Sequence, residues 1–142
     1  MKIAIVVAGL SLATGAQAMP LSVSCHQDIT ETGYTMTGHP IPTQHIATTV
    51  HYVIDFAAPS LSVTSRVASS RFTNNIGGQH IIVDRNGMTI AGTTRFPNDG
   101  PITSQIMHFS ADGTRGDGER KLVLHGRLLQ VADTKMRCIR AG

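Results

Sequence analysis

The stretch from His45 to Phe56 constrains the fold more than any other part of the chain. Ile46, Thr48, Val50, Tyr52, Ile54 and Phe56 fall on one side of a period of two, and His45, Ala47, Thr49, His51, Val53 and Asp55 on the other. One side is mostly apolar and the other mostly polar, the pattern of a half-buried β-strand. Ala57-Ala58-Pro59-Ser60 breaks the alternation, and Leu61, Val63, Ser65 and Val67 resume it.

The rest of the chain reads the same way. Asp84-Arg85-Asn86-Gly87 separates Ile81-Ile82-Val83 from Met88-Thr89-Ile90, a hairpin signal because both Asn and Gly accept positive φ. Phe96 to Pro101 is a second turn cluster, and Ile102 to Ser110 a strand. Ala111 to Glu119, rich in Gly and acids, reads as a mobile hairpin tip. Lys121 to Val131 reads as one strand bulged or bent at Gly126, and Lys135 to Arg140 ends the chain. Residues 30–44, with Gly33, Gly38, Pro40 and Pro42, read as irregular. No capped helix pattern is present beyond the first residues. About eight short strands joined by turns predict an all-β fold, a small antiparallel up-and-down barrel with a β-sandwich as the alternative.

The first eighteen residues stand apart. Lys2 gives a positive start, Ile3 to Leu12 a short apolar run, and Ala16-Gln17-Ala18 a small-x-small cleavage pattern. Residues 1–18 are therefore expected to be a cleaved signal peptide and residues 19–142 a single antiparallel β domain. The apolar run is shorter than the about 20 residues a spanning helix needs, so no transmembrane segment is expected. The expected location is the periplasm or the cell exterior. There, Cys25 and Cys138 meet an oxidant and have only each other to pair with. Their bridge would bring the first and last strands together, which favours a closed meander over a sandwich.

Composition removes several function classes. Lys and Arg number 12 and Asp and Glu 9, too weak and scattered a positive balance for a nucleic-acid surface. With no Trp and two Tyr, the chain lacks the stacking platform of a carbohydrate or single-strand binder. No nucleophile elbow, zinc-protease helix or phosphate loop occurs, so no catalytic residue is assigned and the reading leans away from an enzyme. Asp55, Asp84 and His80 could be gathered only by folding. Arg115-Gly116-Asp117 matches an integrin-type tripeptide, and Asp112, Asp117 and Glu119 share its stretch without the order of a calcium loop.

Seven histidines are many for this length, and imidazole is the commonest metal ligand. His45, His51, His80, His108 and His125 are the candidates for a metal site. None lies two residues from another, and His45 and His51 stand about 20 Å apart along an extended strand. The expectation that results is an exported bacterial β-domain acting as a non-catalytic binding or interaction module. It needs no cofactor, and its partner is a small apolar ligand or another exported protein. The alternative is a periplasmic metal-binding protein using His and Met.

Overall fold

The computed structural model describes residues 19–65, 69–73 and 79–141. The expected signal peptide, residues 1–18, lies outside them. The described residues form an all-β fold of nine strands: β1 (Leu21–Gly33), β2 (Gln44–Asp55), β3 (Ser60–Thr64), β4 (Ser69–Thr73), β5 (Gln79–Asp84), β6 (Gly87–Arg95), β7 (Ile102–Ser110), β8 (Arg115–Leu124) and β9 (Arg127–Arg140). They make one sheet in the order β4-β3-β2-β1-β9-β8-β7-β6-β5, every ladder antiparallel, curled into a nearly closed barrel. It is a single sheet and not a sandwich.

The closure has a reason in parity. Each antiparallel ladder reverses direction, and eight of them separate β4 from β5 around the sheet. β4 and β5 therefore run the same way. Parallel strands need a crossover of a dozen or more residues to pair, and only residues 74–78 join these two. The two strands touch without a ladder, so the seam falls between them. An odd number of strands cannot close an all-antiparallel ring.

The nine strands of the described residues agree with the about eight expected; Ser69-Ser70-Arg71-Phe72-Thr73 pairs with β3 although its one large apolar residue gives no alternation. Three local expectations are corrected. Only residues 111–114 form the turn read as a long hairpin tip, and Arg115 to Glu119 belong to β8. Gly116 is there for packing. A Cβ on Gly116 would sit 2.7 Å from Met136 Cε and 2.9 Å from the His108 carbonyl. Lys121 to Val131 is two strands around a tight turn in which His125 and Gly126 both have positive φ, 50° and 74°. The register shift lies earlier, at Leu122/Val123. The turn between β5 and β6 is Arg85-Asn86, held by the Asn86 amide donating to Asp84 Oδ1 at 2.7 Å, and Gly87 already belongs to β6.

The two ends of the barrel differ. At one end Val23, Cys25, Ile54, Leu61, Met88 and Phe109 are almost fully buried, the five other than the cysteine each worth about 1.5–3 kcal/mol of transfer free energy. This end is closed by the turns 56–59, 85–86 and 111–114. The other end carries the β1–β2, β6–β7 and β8–β9 connections. There the β1–β2 segment is pinned by Tyr34 N–H to the Leu129 carbonyl and Ile41 N–H to the Gly33 carbonyl, both 2.8 Å. Residues 30–33, expected to be irregular, continue β1.

Cys25 and Cys138 are bonded, with Cα atoms 4.0 Å apart. They stand directly opposite in the β1–β9 ladder. The Cys138 N–H is turned away from β1, donating to the Thr114 carbonyl at 2.8 Å. The two cysteines thus form a non-hydrogen-bonded pair, where facing side chains are closest.

Candidate functional site

Once the cysteines point inward, alternation assigns their strands. Gln27, Ile29 and Glu31 follow Cys25 into the barrel, and Met136, Thr134, Ala132 and Gln130 face them from β9. Gly116 packs under Met136, so Gly118 and Arg120 also point in. Val50 and Tyr52 do so from β2, Val63 from β3, and Gln105 and Met107 from β7. These inward residues leave a cavity of about 240 Å³ in the half of the barrel away from the core. Gly118 in its wall supplies no side chain to fill it.

The floor of this cavity is polar and buried. Gln27 is 6% and Tyr52 2% exposed. Gln27 Nε2 donates to the Tyr52 hydroxyl and to Met136 Sδ at 3.2 Å. Burial pushes the Tyr52 phenol up to about 12, with the Gln27 bond pulling weakly the other way. The hydroxyl therefore keeps its proton throughout the physiological range. The Tyr52 ring meets Phe109 edge-on, with centroids 4.9 Å apart and planes at 64°. That contact joins the cavity floor to the apolar core.

Nearer the mouth, Glu31 accepts from Gln130 Nε2 at 2.6 Å and lies 3.9 Å from Arg120 Nη2. The rim exposes Met36, Ile41, Ile46, Phe96 and Leu128. Arg127 Nη1 donates to the Met36 carbonyl and ties two of the rim connections together. Two larger hollows, of about 370 and 460 Å³, lie on the outer wall against outward residues such as His80, Ile106, Asp117 and Lys135. They lack the buried polar side chains that mark the interior cavity.

The candidate histidines do not converge. His45 and His51 project outward from β2, His80 from β5 and His108 from β7, while His125 is in the β8–β9 turn. His108 Nδ1 is hydrogen-bonded to Thr89 Oγ1 at 3.0 Å. Among the described residues no three His, Cys, Asp or Glu side chains are grouped to hold a metal. Asp55 and Asp84 are engaged in turns, Asp55 accepting the Ala57 and Ala58 amides at 3.0 and 2.9 Å. Arg115 and Asp117 lie in β8, not on a loop, with Gly116 packed between them. The Asp112 carboxylate accepts from Ser110 Oγ at 2.7 Å and from the amide and hydroxyl of Thr114 at 3.0 and 2.7 Å.

The residues that build the cavity, Gln27, Tyr52, Gln105 and Arg120, were not singled out from sequence. One signal was available. Gln27 is two residues from Cys25, so a disulfide that places Cys25 inside also places a polar amide inside. No protein-family model and no curated protein matches this chain, and its functional reading rests on the geometry of the cavity.

Proposed function

We propose that this protein is an exported, non-catalytic binding module that holds a small ligand in the open half of its barrel. The observation that carries the reading is the cavity of about 240 Å³ above two buried polar side chains, Gln27 and Tyr52. A folded chain leaves such space next to buried polar groups at a cost in packing, and a ligand that fills and pairs them recovers it. The size falls below the roughly 300–1,000 Å³ of drug-sized sites, so the ligand is small. The apolar walls support the expectation of an apolar body, and the floor adds a polar end to it. The Cys25–Cys138 bridge is compatible with an oxidising location, and the pattern of residues 1–18 supports export. The scatter of the histidines favours a small molecule over a metal.

Native mass spectrometry of protein from the exported fraction tests this. A small non-covalent adduct is expected, and Ala132→Leu, which fills the cavity from its wall, should lose it. Repeated recovery of empty protein, or an adduct that persists in the Ala132→Leu variant, would overturn the reading.

A further inference from the structure

The polar pair at the cavity floor has hydrogen-bonding capacity left over. The two amide protons of Gln27 go to the Tyr52 hydroxyl oxygen and to Met136 Sδ. A thioether sulfur accepts hydrogen bonds and cannot donate one. Met136 therefore fixes the amide with its nitrogen toward the sulfur and its carbonyl away. Two groups remain: the Tyr52 O–H, a donor, and the Gln27 carbonyl, an acceptor. Among the described residues no group accepts from the first or donates to the second. Both residues line the cavity, so whatever pairs them arrives through it.

We propose that the cavity recognises a small neutral molecule presenting a carbonyl beside an N–H, as a lactam or primary carboxamide does. The ligand carbonyl accepts from Tyr52 and its N–H donates to Gln27, while its carbon skeleton lies against Val50, Val63 and Met107. The proposal rests on the reading of the cavity as the ligand site. Three physical considerations narrow the class. An ion held at the Gln27 and Tyr52 floor would lose hydration, and the Arg120 guanidinium that reaches this cavity is already set against Glu31, 3.9 Å away toward the mouth. A hydrocarbon of the same shape would displace water from both polar groups and leave them unpaired. Water can pair both groups, and a ligand that displaces it must reproduce both bonds. Sites built around a specific donor and acceptor discriminate strongly against analogues lacking the match.

Three six-membered probes of nearly equal shape test this on the full chain, read by the methyl resonances of Met107 and Met136. 2-Piperidone carries both groups, cyclohexanone the acceptor alone, and methylenecyclohexane neither. 2-Piperidone is expected to bind about tenfold more tightly than cyclohexanone, and Gln27→Met, which removes the acceptor for its N–H, should erase that advantage. Should that variant fail to fold, Tyr52→Phe takes its place and should lower the affinity of both carbonyl probes toward that of methylenecyclohexane, and the probe series on the native chain stands without either. Equal affinity for 2-piperidone and cyclohexanone would overturn the proposal while leaving the cavity a ligand site. No response to any probe, methylenecyclohexane included, would overturn both.

Discussion

Arg140 grips the backbone of Asp112. Its Nε and Nη2 donate to the Asp112 carbonyl at 3.0 and 2.9 Å, so the end of the last strand clamps the turn between β7 and β8. The Cys25–Cys138 bond lies two residues away on β9, and the Ala141 N–H reaches back to the Ser22 carbonyl at 2.9 Å. The start of β1 and the end of β9 are thus secured at the closed, apolar end of the barrel. The opposite end carries no disulfide among the described residues and holds the cavity. Rigidity at one end and space at the other are the division expected of a binding scaffold.

Replacing both cysteines with serine should preserve the barrel and lower its stability by about 2–4 kcal/mol. The bridge closes a loop of 113 residues, and such closure chiefly restricts the unfolded chain. The strands still bury their core, so the circular dichroism spectrum should remain all-β. Thermal melts should shift down by on the order of 8–15 °C, since each kcal/mol moves a domain of this size by about 4 °C. A shift within one degree would show that the ladder alone secures the ends.

Gly87→Ala should destabilise far more than Gly118→Ala. Gly87 has φ of 134°, and a Cβ there would sit 1.8 Å from the Phe109 carbonyl oxygen, so strand β7 must move. A cost of about 3 kcal/mol or more is expected. At Gly118 the nearest atom to a new Cβ is the Ile106 carbonyl oxygen at 3.3 Å, and the cost should stay near 1 kcal/mol or less. Urea midpoints of the two variants compare them directly.

The fold was largely legible in sequence, because period-two alternation marks a strand wherever one face is buried. It predicted a strand over His45–Phe56, close to the observed Gln44–Asp55, and set His45 and His51 on the polar side where they are found. The same reading overestimated burial at the open end. Val50, Tyr52 and Ile54 are buried, but Ile46 is 41% exposed because the barrel is hollow beside it. Glycines misled at β8, since composition cannot separate a glycine that turns the chain from one that makes room for Met136. The cavity was less legible still. It depends on which side chains from β1, β2, β7, β8 and β9 meet, and register between distant strands is a tertiary property.

The turn at residues 111–114 should resist acid. Bonds from the Thr114 backbone amide, the Ser110 hydroxyl and the Thr114 hydroxyl hold the Asp112 carboxyl well below the usual carboxylate range. A carboxyl lowered on folding stabilises above its unfolded pKa, near 3.8, and that stabilisation fades only as pH falls toward the folded value. Asp112→Asn should therefore melt below the parent at pH 7 and still do so at pH 4. The gap should narrow only in stronger acid. Parallel melts across that range check the sign, and a gap that closes by pH 5 would contradict it.

Tyr52 predicts the opposite limb. Its pKa rises from 10.0 to about 12 on folding, chiefly because burial opposes the phenolate. A group whose pKa is raised on folding stabilises fully below its unfolded value. That contribution is lost as pH climbs through the folded value. Between pH 10 and 12 the unfolded chain gives up the Tyr52 proton while the barrel retains it, and stability falls. The total is about 2–3 kcal/mol, at about 1.4 kcal/mol per pH unit. Tyr52→Phe removes this limb, so its stability should decline less over the same interval even though the unpaired Gln27 amide makes it weaker at neutral pH. Urea unfolding at pH 8, 10 and 11.5, in a Tyr34→Phe background so that Tyr52 is the only tyrosine, isolates the effect. Equal decline with and without the Tyr52→Phe substitution would mean that the hydroxyl is hydrated in the folded state. The polar floor of the cavity would then be open to water and not closed beneath a ligand.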